Sequence, residues 1–344
     1  MKKISICTRY TPLGASSRLR FYNYHPLLEE QGVSGKIFPL LGDRYLNGLY
    51  RGKRVRHLAA ASLVKRLMQL PLLEKELLIE YELLPFLPVW FEELILRRRK
   101  YILSFDDAVW EKYRGTRLEG KFERLVSRAC GVISANNSIT DHLKPYNERI
   151  IKIPTAIDLE KYTSVPENRD EEFTIAWIGT PVTYQECLLP FSSMLQEASA
   201  RFDFKLLVIA SDKLRRIDGV NMEFVNWSSS AEAELLKRAH IGIMPLPEND
   251  FMRGKSAYKL IQYLASGLPC IASPVGENSV LLSQGEVGFA AGTVDEWISA
   301  IGKLKEDVLL RSRLGANALE LAGEYSIRKH AVRMADFIKE CFNW

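Results

Sequence analysis

The stretch RGKSAYKLIQYLASGLPCIASPVGEN, residues 253–278, sets a helix-patterned run between two short apolar segments and opens on a Gly-Lys-Ser triplet. That triplet, 254–256, is how a nucleotide-binding P-loop ends, but a P-loop also needs a glycine where Asn249 stands. No apolar run ending in a metal-binding aspartate follows either, so a triphosphate hydrolase is disfavoured. Ala257, Ile261, Leu264 and Ala265 are spaced to form one apolar face, and Lys255, Lys259 and Gln262 to line another. Two cations and an amide at the positive end of a helix, after a proline-containing turn and beyond a strand, suit a diphosphate or a sugar. Each lysine taken alone also fits an ordinary solvated helix face.

Outward from this stretch the chain reads as two successive α/β units. Short apolar runs at 3–7, 101–105, 131–135 and 150–154 suggest one parallel sheet, and those at 173–179, 205–210, 241–246 and 269–273 a second. Helical patterns near 185–200, 230–240 and 257–266 separate members of the second series. The polar stretch TSVPENRDEE, 163–172, lacks the apolar residues of either core and reads as the linker. The expected division is therefore 1–162 and 163–324, with residues 325–344 as a closing helix. Open parallel sheets bind ligands beyond the carboxyl ends of their strands, and two of them facing each other would enclose a cleft.

With 344 residues, 47% of them hydrophobic and 26% charged, the composition is that of an ordinary globular chain. The net charge of +5 is too small to imply a nucleic-acid partner, but its distribution is uneven. No acid lies between Asp43 and Glu74, where Arg44, Arg51, Lys53, Arg54, Arg56, Lys65 and Arg66 gather. Five scattered cysteines without CxxC spacing argue against disulfides or zinc and suggest a reducing, cytoplasmic setting. MKKISICTRY lacks the apolar core of a signal peptide, and no run is long enough to span a bilayer.

The run 244–278 resembles the donor-binding segment of retaining, nucleotide-sugar-dependent GT4 glycosyltransferases of the GT-B fold, whose helix reads roughly E-A-M-A-x-G-x-P-V-I-A where this chain has QYLASGLPCIA. Residues 132–162 look like that family's strand, helix, strand and turn, with Pro154 to Asp158 and Tyr162 in the motif positions. Residues 173–195 resemble its first C-terminal strand and helix, and 11–33 its glycine-containing first loop, placing Gly14 there. The resemblance implies two Rossmann-like domains, the first taking the acceptor and the second the donor, with no metal required. Many members carry two glutamates eight apart on the donor helix; here Gly254 and Gln262 hold those places. The usual Arg and Lys after the first C-terminal strand are also missing, since Thr180, Pro181 and Val182 follow Gly179.

On this reading Arg253, Lys255, Ser256 and Lys259 meet the diphosphate, Gln262 the ribose, and Gly179, Thr180 and Gly276 allow close backbone approach. Asp106 and Asp107 in SFDDAVW sit at a strand end where a carboxylate would contact acceptor hydroxyls or move a proton. Asp107 as a helix cap is the plain alternative. Arg18, just after the first loop, would neutralise the leaving diphosphate, and Glu82 would reach the acceptor. Arg51, Lys53, Arg54 and Arg56, with Trp90, Phe91 and the basic run 97–100, suggest a face that rests on an anionic bilayer. The expected activity is transfer of a sugar, with retention, to a hydroxyl of a lipid-linked or cell-surface glycan precursor. The alternatives are a nucleotide-sugar epimerase, or a relative that binds nucleotide or glycan without turnover.

Overall fold

The computed structural model describes residues 2–163, 169–210 and 214–344; most of the expected linker, 164–168, lies outside them. The chain forms two compact units, one of residues 1–156, 254–256 and 327–344, the other of 157–253 and 257–326.

The first unit holds six parallel strands: β1 (Lys3–Tyr10), β2 (Ser34–Leu41), β3 (Glu76–Glu80), β4 (Lys100–Phe105), β5 (Gly131–Ser134) and β6 (Ile150–Lys152). They run in the order β2-β1-β3-β4-β5-β6. The connections leaving β1 and β3 depart to opposite sides, so their carboxyl ends flank a natural crevice. Sequence periodicity does not reveal β2 or β3. β2 contains Gly35 and Pro39, tolerable because it is an edge strand. β3 is central, but only three apolar residues separate Glu76 from Glu80.

The helix Ile327–Phe342 is not a separate closing element. Its residues Ile327, Ala331, Met334 and Ile338 pack with Ile4, Ile6, Ile102 and Ile133 in the first unit's core. A Cβ on Gly131 would fall 2.5 Å from Cys341 Sγ, so β5 and this helix meet at backbone distance. The expected boundary after 162 also moves, because Ile157 and Tyr162 are buried in the second unit's core beside Ala176 and Ile178.

The second unit contains β7 (Thr174–Ile178), β8 (Lys205–Ala210), β9 (Met222–Asn226), β10 (Ile241–Met244), β11 (Cys270–Ala272) and β12 (Gly288–Ala290), all parallel. Their order is β12-β11-β10-β7-β8-β9, with the reversal between β7 and β10. The strands hidden from sequence reading are its two edges: β9 is only partly buried and β12 has three residues. The helix Tyr258–Ala265 buries Leu260, Ile261 and Leu264 on the sheet. It lies close to β10, since a Cβ on Gly242 would meet the Tyr263 ring at 2.3 Å. Among the described residues no helix is long and apolar enough to cross a membrane.

Candidate functional site

In the first unit the crevice between β1 and β3 is filled by ionisable side chains. Gly14 opens the helical turn after β1; a Cβ there would come within 2.5 Å of Tyr10 Cβ, so only glycine lets the loop fold this tightly. Its carbonyl accepts the Arg18 N–H at 2.9 Å, and Arg18–Tyr22 then form a π turn, a distortion often found at functional sites. Ser17, buried by that turn, accepts the Tyr10 N–H at 2.9 Å and donates to Glu80 Oε2. The Arg9 N–H donates to the same oxygen at 2.7 Å. Burial pushes the Glu80 carboxyl up while Ser17 and Arg9 pull it back, and Glu80 Oε1 is buried with no hydrogen-bond partner.

The next residue, Tyr81, has φ +60°, a left-handed backbone that a bulky residue adopts only under constraint. From there its hydroxyl donates to Asp106 Oδ1 at the end of β4. Asp106 is buried, and burial, then Asp107 and Glu80, raise its carboxyl to about 7, against a smaller downward pull from Arg20. A carboxyl in that range can give or take a proton near neutral pH. Asp107 does not cap a helix: the turn Val109–Lys112 follows Ala108 and has no side-chain cap. Of the two early arginines, Arg20 is the buried one, donating to Ile153 O at 2.6 Å and Ser104 Oγ at 3.3 Å. Arg18 stays half-buried and donates to Pro12 O at 2.9 Å.

Glu82 is not available to an acceptor. Lys121 Nζ lies 2.7 Å from Glu82 and 2.6 Å from Glu92, all three side chains being fully buried. Tyr113 donates to both Glu82 oxygens at 2.9 and 3.1 Å, and Arg9 stands 3.5 Å away. Burial outweighs Lys121 at Glu92 and raises that carboxyl to about 7. Glu82 and Glu92 thus form a structural ion cluster beside the crevice.

The second unit gathers a different set at the ends of β7, β9 and β10. Gly179 follows β7; a Cβ would strike Trp177 at 2.4 Å and Thr183 Oγ1 at 2.7 Å. Thr180 caps the next helix in a reciprocal bond with Thr183, so its hydroxyl is partly engaged. Lys259 sits over the Trp177 ring, 5.6 Å from its centroid, which carries a cation to the β7 end where the family's Arg and Lys are missing. Gln262 is buried, its amide nitrogen 3.4 Å from both Tyr162 Oη and Glu232 Oε2. Glu232 also accepts from Tyr162 at 3.1 Å and from Trp227 Nε1 at 2.9 Å. Sequence reading missed Glu232 and Trp227, which follow an edge strand with no motif around them.

Gly276, after β11, has φ +55°, and a Cβ there would lie 2.3 Å from the Arg253 carbonyl, so this turn requires glycine. Arg253 itself is exposed and paired with Glu248 at 2.6 Å. Lys255 is not on the donor helix, which begins at Tyr258 after Ala257 in a left-handed turn of φ +51°. Gly254, Lys255 and Ser256 belong to the first unit. There Asn136 donates to Gly254 O at 2.8 Å, and a Cβ on Gly254 would lie 2.5 Å from Ala108 Cβ. A glutamate cannot fit where Gly254 stands. Arg51, Lys53 and Arg54 are exposed between the helices Asp43–Tyr50 and Arg56–Gln69, and Arg56 is exposed at the start of the second.

Two doubly wound parallel sheets in one chain, with polar side chains collected at their carboxyl ends, are the GT-B architecture of two Rossmann-like domains. Residues 172–307 match the model of the family described as glycosyl transferases group 1. No curated protein matches the chain in sequence. Among solved structures, a sucrose-phosphate synthase from Thermosynechococcus elongatus aligns over 100% of both chains with a TM-score of 0.74 at 14% identity. WaaG, a glycosyltransferase involved in lipopolysaccharide biosynthesis, covers 97% of this chain and 99% of its own with a TM-score of 0.69 at 15% identity. The pneumococcal O-GlcNAc transferase GtfA, in complex with UDP and GlcNAc, covers 82% of this chain and 60% of its own with a TM-score of 0.60 at 14% identity.

Proposed function

We propose that the protein is a GT4-type glycosyltransferase that moves a sugar, with retention, from a nucleoside diphosphate donor to a hydroxyl of a lipid-linked or cell-surface glycan precursor. The observation that carries this is the cluster of Lys259, Gln262 and Glu232 at the carboxyl ends of β7 and β9, inside the segment that matches the family. Lys259 offers charge to the diphosphate, and the neutral Thr180 turn and the Gly276 turn offer close backbone approach. Glu232 and Gln262 together offer the carboxylate and amide to which a ribose diol hydrogen-bonds. The complex of GtfA with UDP supports a uridine nucleotide as the first donor to try.

In the first unit, Asp106 is the group suited to accept the acceptor proton, held by Tyr81 and kept near 7 by its surroundings. Arg253 remains part of the proposed donor contacts in the second unit, whereas Arg18, Lys255 and Ser256 belong to the first unit; no divalent metal is required in this scheme. The basic 51–56 segment, with Val64, Met68, Trp90 and Leu94 exposed at helical spacing nearby in sequence, suits a peripheral position on an anionic cytoplasmic bilayer surface.

One observation favours a second reading, binding without turnover: Gly254 stands where many members have a sugar-holding glutamate, and Ala108 leaves no room for one. Thermal shifts with UDP, GDP, ADP and dTDP and their sugar conjugates, followed by release of nucleotide in the presence of glycan acceptors, test both. A stabilising nucleotide with acceptor-dependent release supports the transferase. Stabilisation without release supports the binder, and sugar isomerisation without acceptor supports an epimerase. No shift with any nucleotide overturns the donor site.

A further inference from the structure

The loop 81–88 leaves the carboxyl end of β3 and leads into the helix Val89–Leu96. Four non-glycine residues with left-handed backbone occur among the described residues, and two of them, Tyr81 and Phe86, fall in this loop. Tyr81 turns that conformation into a bond with buried Asp106. Phe86 obtains no such burial: its φ is +65° and it is 56% exposed. The local turn accounts for the backbone but not for the residue. Leu87 N–H donates to Leu84 O at 3.4 Å, which places Pro85 second and Phe86 third in a tight turn. A third position with positive φ after proline ordinarily takes glycine or asparagine. A bulky aromatic there is strained, and an exposed ring recovers little of the cost from packing.

Strain of this kind persists only where the surroundings over-determine it, and here the buried ion cluster does so. Leu83 N–H donates to Glu92 Oε2 at 2.8 Å, Lys121 Nζ donates to Leu84 O at 2.8 Å, and Phe86 N–H donates to Tyr113 Oη at 3.0 Å. Glu92, Tyr113 and Lys121 all come from chain beyond the loop. Tyr113 is itself fixed by donating to Glu82, and its ring meets that of Phe86 edge-on with centroids 6.3 Å apart. Leu83 and Leu84 anchor the loop in the first unit's core, and Pro85 and Pro88 restrict it further. The result is an aromatic ring held rigidly toward solvent on the same sheet edge as Asp106.

We infer that Phe86 is a contact for the acceptor glycan, its ring stacking on the C–H face of a sugar. This rests on the reading of the first unit as the acceptor side. A rigid aromatic supplies apolar contact area at little cost in conformational freedom, which benefits a ligand that has a defined flat face of its own. An acyl chain or a bilayer surface imposes no such geometry and needs no strained, pinned ring to meet it. The arrangement therefore selects a sugar ring over a lipid at this position, and gives the buried ions a task in recognition as the scaffold that presents Phe86.

Saturation-transfer NMR on the full chain tests this, with the methyl glycosides of glucose, galactose, mannose and N-acetylglucosamine as probes and n-octanol as the alkyl control. At least one glycoside should receive saturation at its ring C–H protons, with binding weakened about fivefold or more in Phe86→Gly and kept in Phe86→Tyr. Phe86→Gly should melt no lower than the wild type, because glycine adopts this φ without strain. Absence of contact with all four glycosides, equal glycoside binding in Phe86→Gly, or octanol binding alone that the substitution abolishes would overturn the inference. So would a fall in melting temperature of more than about 3 °C in Phe86→Gly, which would make the ring part of the core. None of these readouts needs a donor. Lost glycoside contact with nucleotide stabilisation intact sinks the role of Phe86 alone, whereas absent nucleotide shifts with glycoside contact intact sink the donor site alone.

Discussion

The carboxyl edges of the two sheets both flank a reversal of strand order, and their chemistry is opposite. At the β1/β3 edge the first unit buries Glu80, Glu82, Asp106, Lys121 and Glu92, tied to one another and to Ser17, Tyr81 and Tyr113. At the β7/β10 edge the second unit sets, among the described residues, Gly179 and Thr180 beside Lys259, with Glu232 in the adjoining polar cluster. Burial of acids makes protonation states adjustable, which suits proton transfer to or from a hydroxyl. Glycine turns and one cation instead suit a ligand that brings its own negative charge.

The largest effect should come from breaking the buried charge cluster. Lys121→Ala strands Glu82 and Glu92 without their shared cation, and such losses cost about 3–5 kcal/mol. Urea denaturation at pH 8 should show it, and the loss should shrink toward pH 5, where Glu92, held at about 7, takes up a proton. A loss below about 1 kcal/mol at pH 8 would mean that the cluster is solvated and the contrast between the edges overstated.

Asp106→Asn tests the chemistry assigned to the same edge. Proton transfer by a positioned side chain contributes about 100-fold or more, so transfer should fall by at least that factor with nucleotide binding unchanged. Stability offers an independent reading. The Asp106 carboxyl sits at about 7 folded against 3.8 for an ordinary aspartate, so the folded state holds the extra proton between those values. Its contribution is complete below about pH 4 and is lost as pH rises through 7. The substitution should therefore flatten the decline in stability between pH 4 and 7, and an unchanged slope would remove Asp106 from the titrating set.

In the second unit the expected effects are smaller because less is buried. Gly276→Ala places a Cβ in a left-handed turn 2.3 Å from Arg253 O, at a cost of about 1–3 kcal/mol in thermal denaturation. Lys259→Ala should leave stability nearly unchanged and weaken nucleoside diphosphate binding about tenfold, or 1.4 kcal/mol. Equal affinity in that variant would move the diphosphate away from the β7 end.

How much of this the sequence discloses depends on which force fixes each feature. Both parallel sheets and the donor helix are legible because burial writes apolar runs at strand and helix spacing, while the GT-B class is legible only through the resemblance of the 244–278 run to that family's donor segment. β3 is illegible because its last residue is Glu80, a charge kept in the core by Ser17 and Arg9 rather than an apolar residue. Tyr81 is hidden for a related reason: nothing in its identity signals φ +60° or a bond to Asp106, both imposed by tertiary contacts. Lys255 reads as part of a helix by its spacing from Lys259, but the left-handed Ala257 starts the helix later. Glu82 reads as a reachable acid, because the Lys121 that claims it lies far along the chain.

The smallest effect concerns the surface beyond both edges. Arg51, Lys53, Arg54 and Arg56 are exposed, and so are Val64 and Met68 one helical turn apart on the following helix. If this segment meets an anionic bilayer, each basic residue contributes about 1 kcal/mol, screened within about 10 Å at 0.1 M salt. Arg54→Gln should then lower partitioning onto vesicles rich in phosphatidylserine about fivefold at low salt, with no change in thermal stability or nucleotide binding. Loss should accumulate as the four are replaced in turn, and should vanish on neutral phosphatidylcholine vesicles. Equal partitioning of the wild type onto both lipids would assign the segment to solvent and leave recognition of the acceptor to the buried first-unit edge alone.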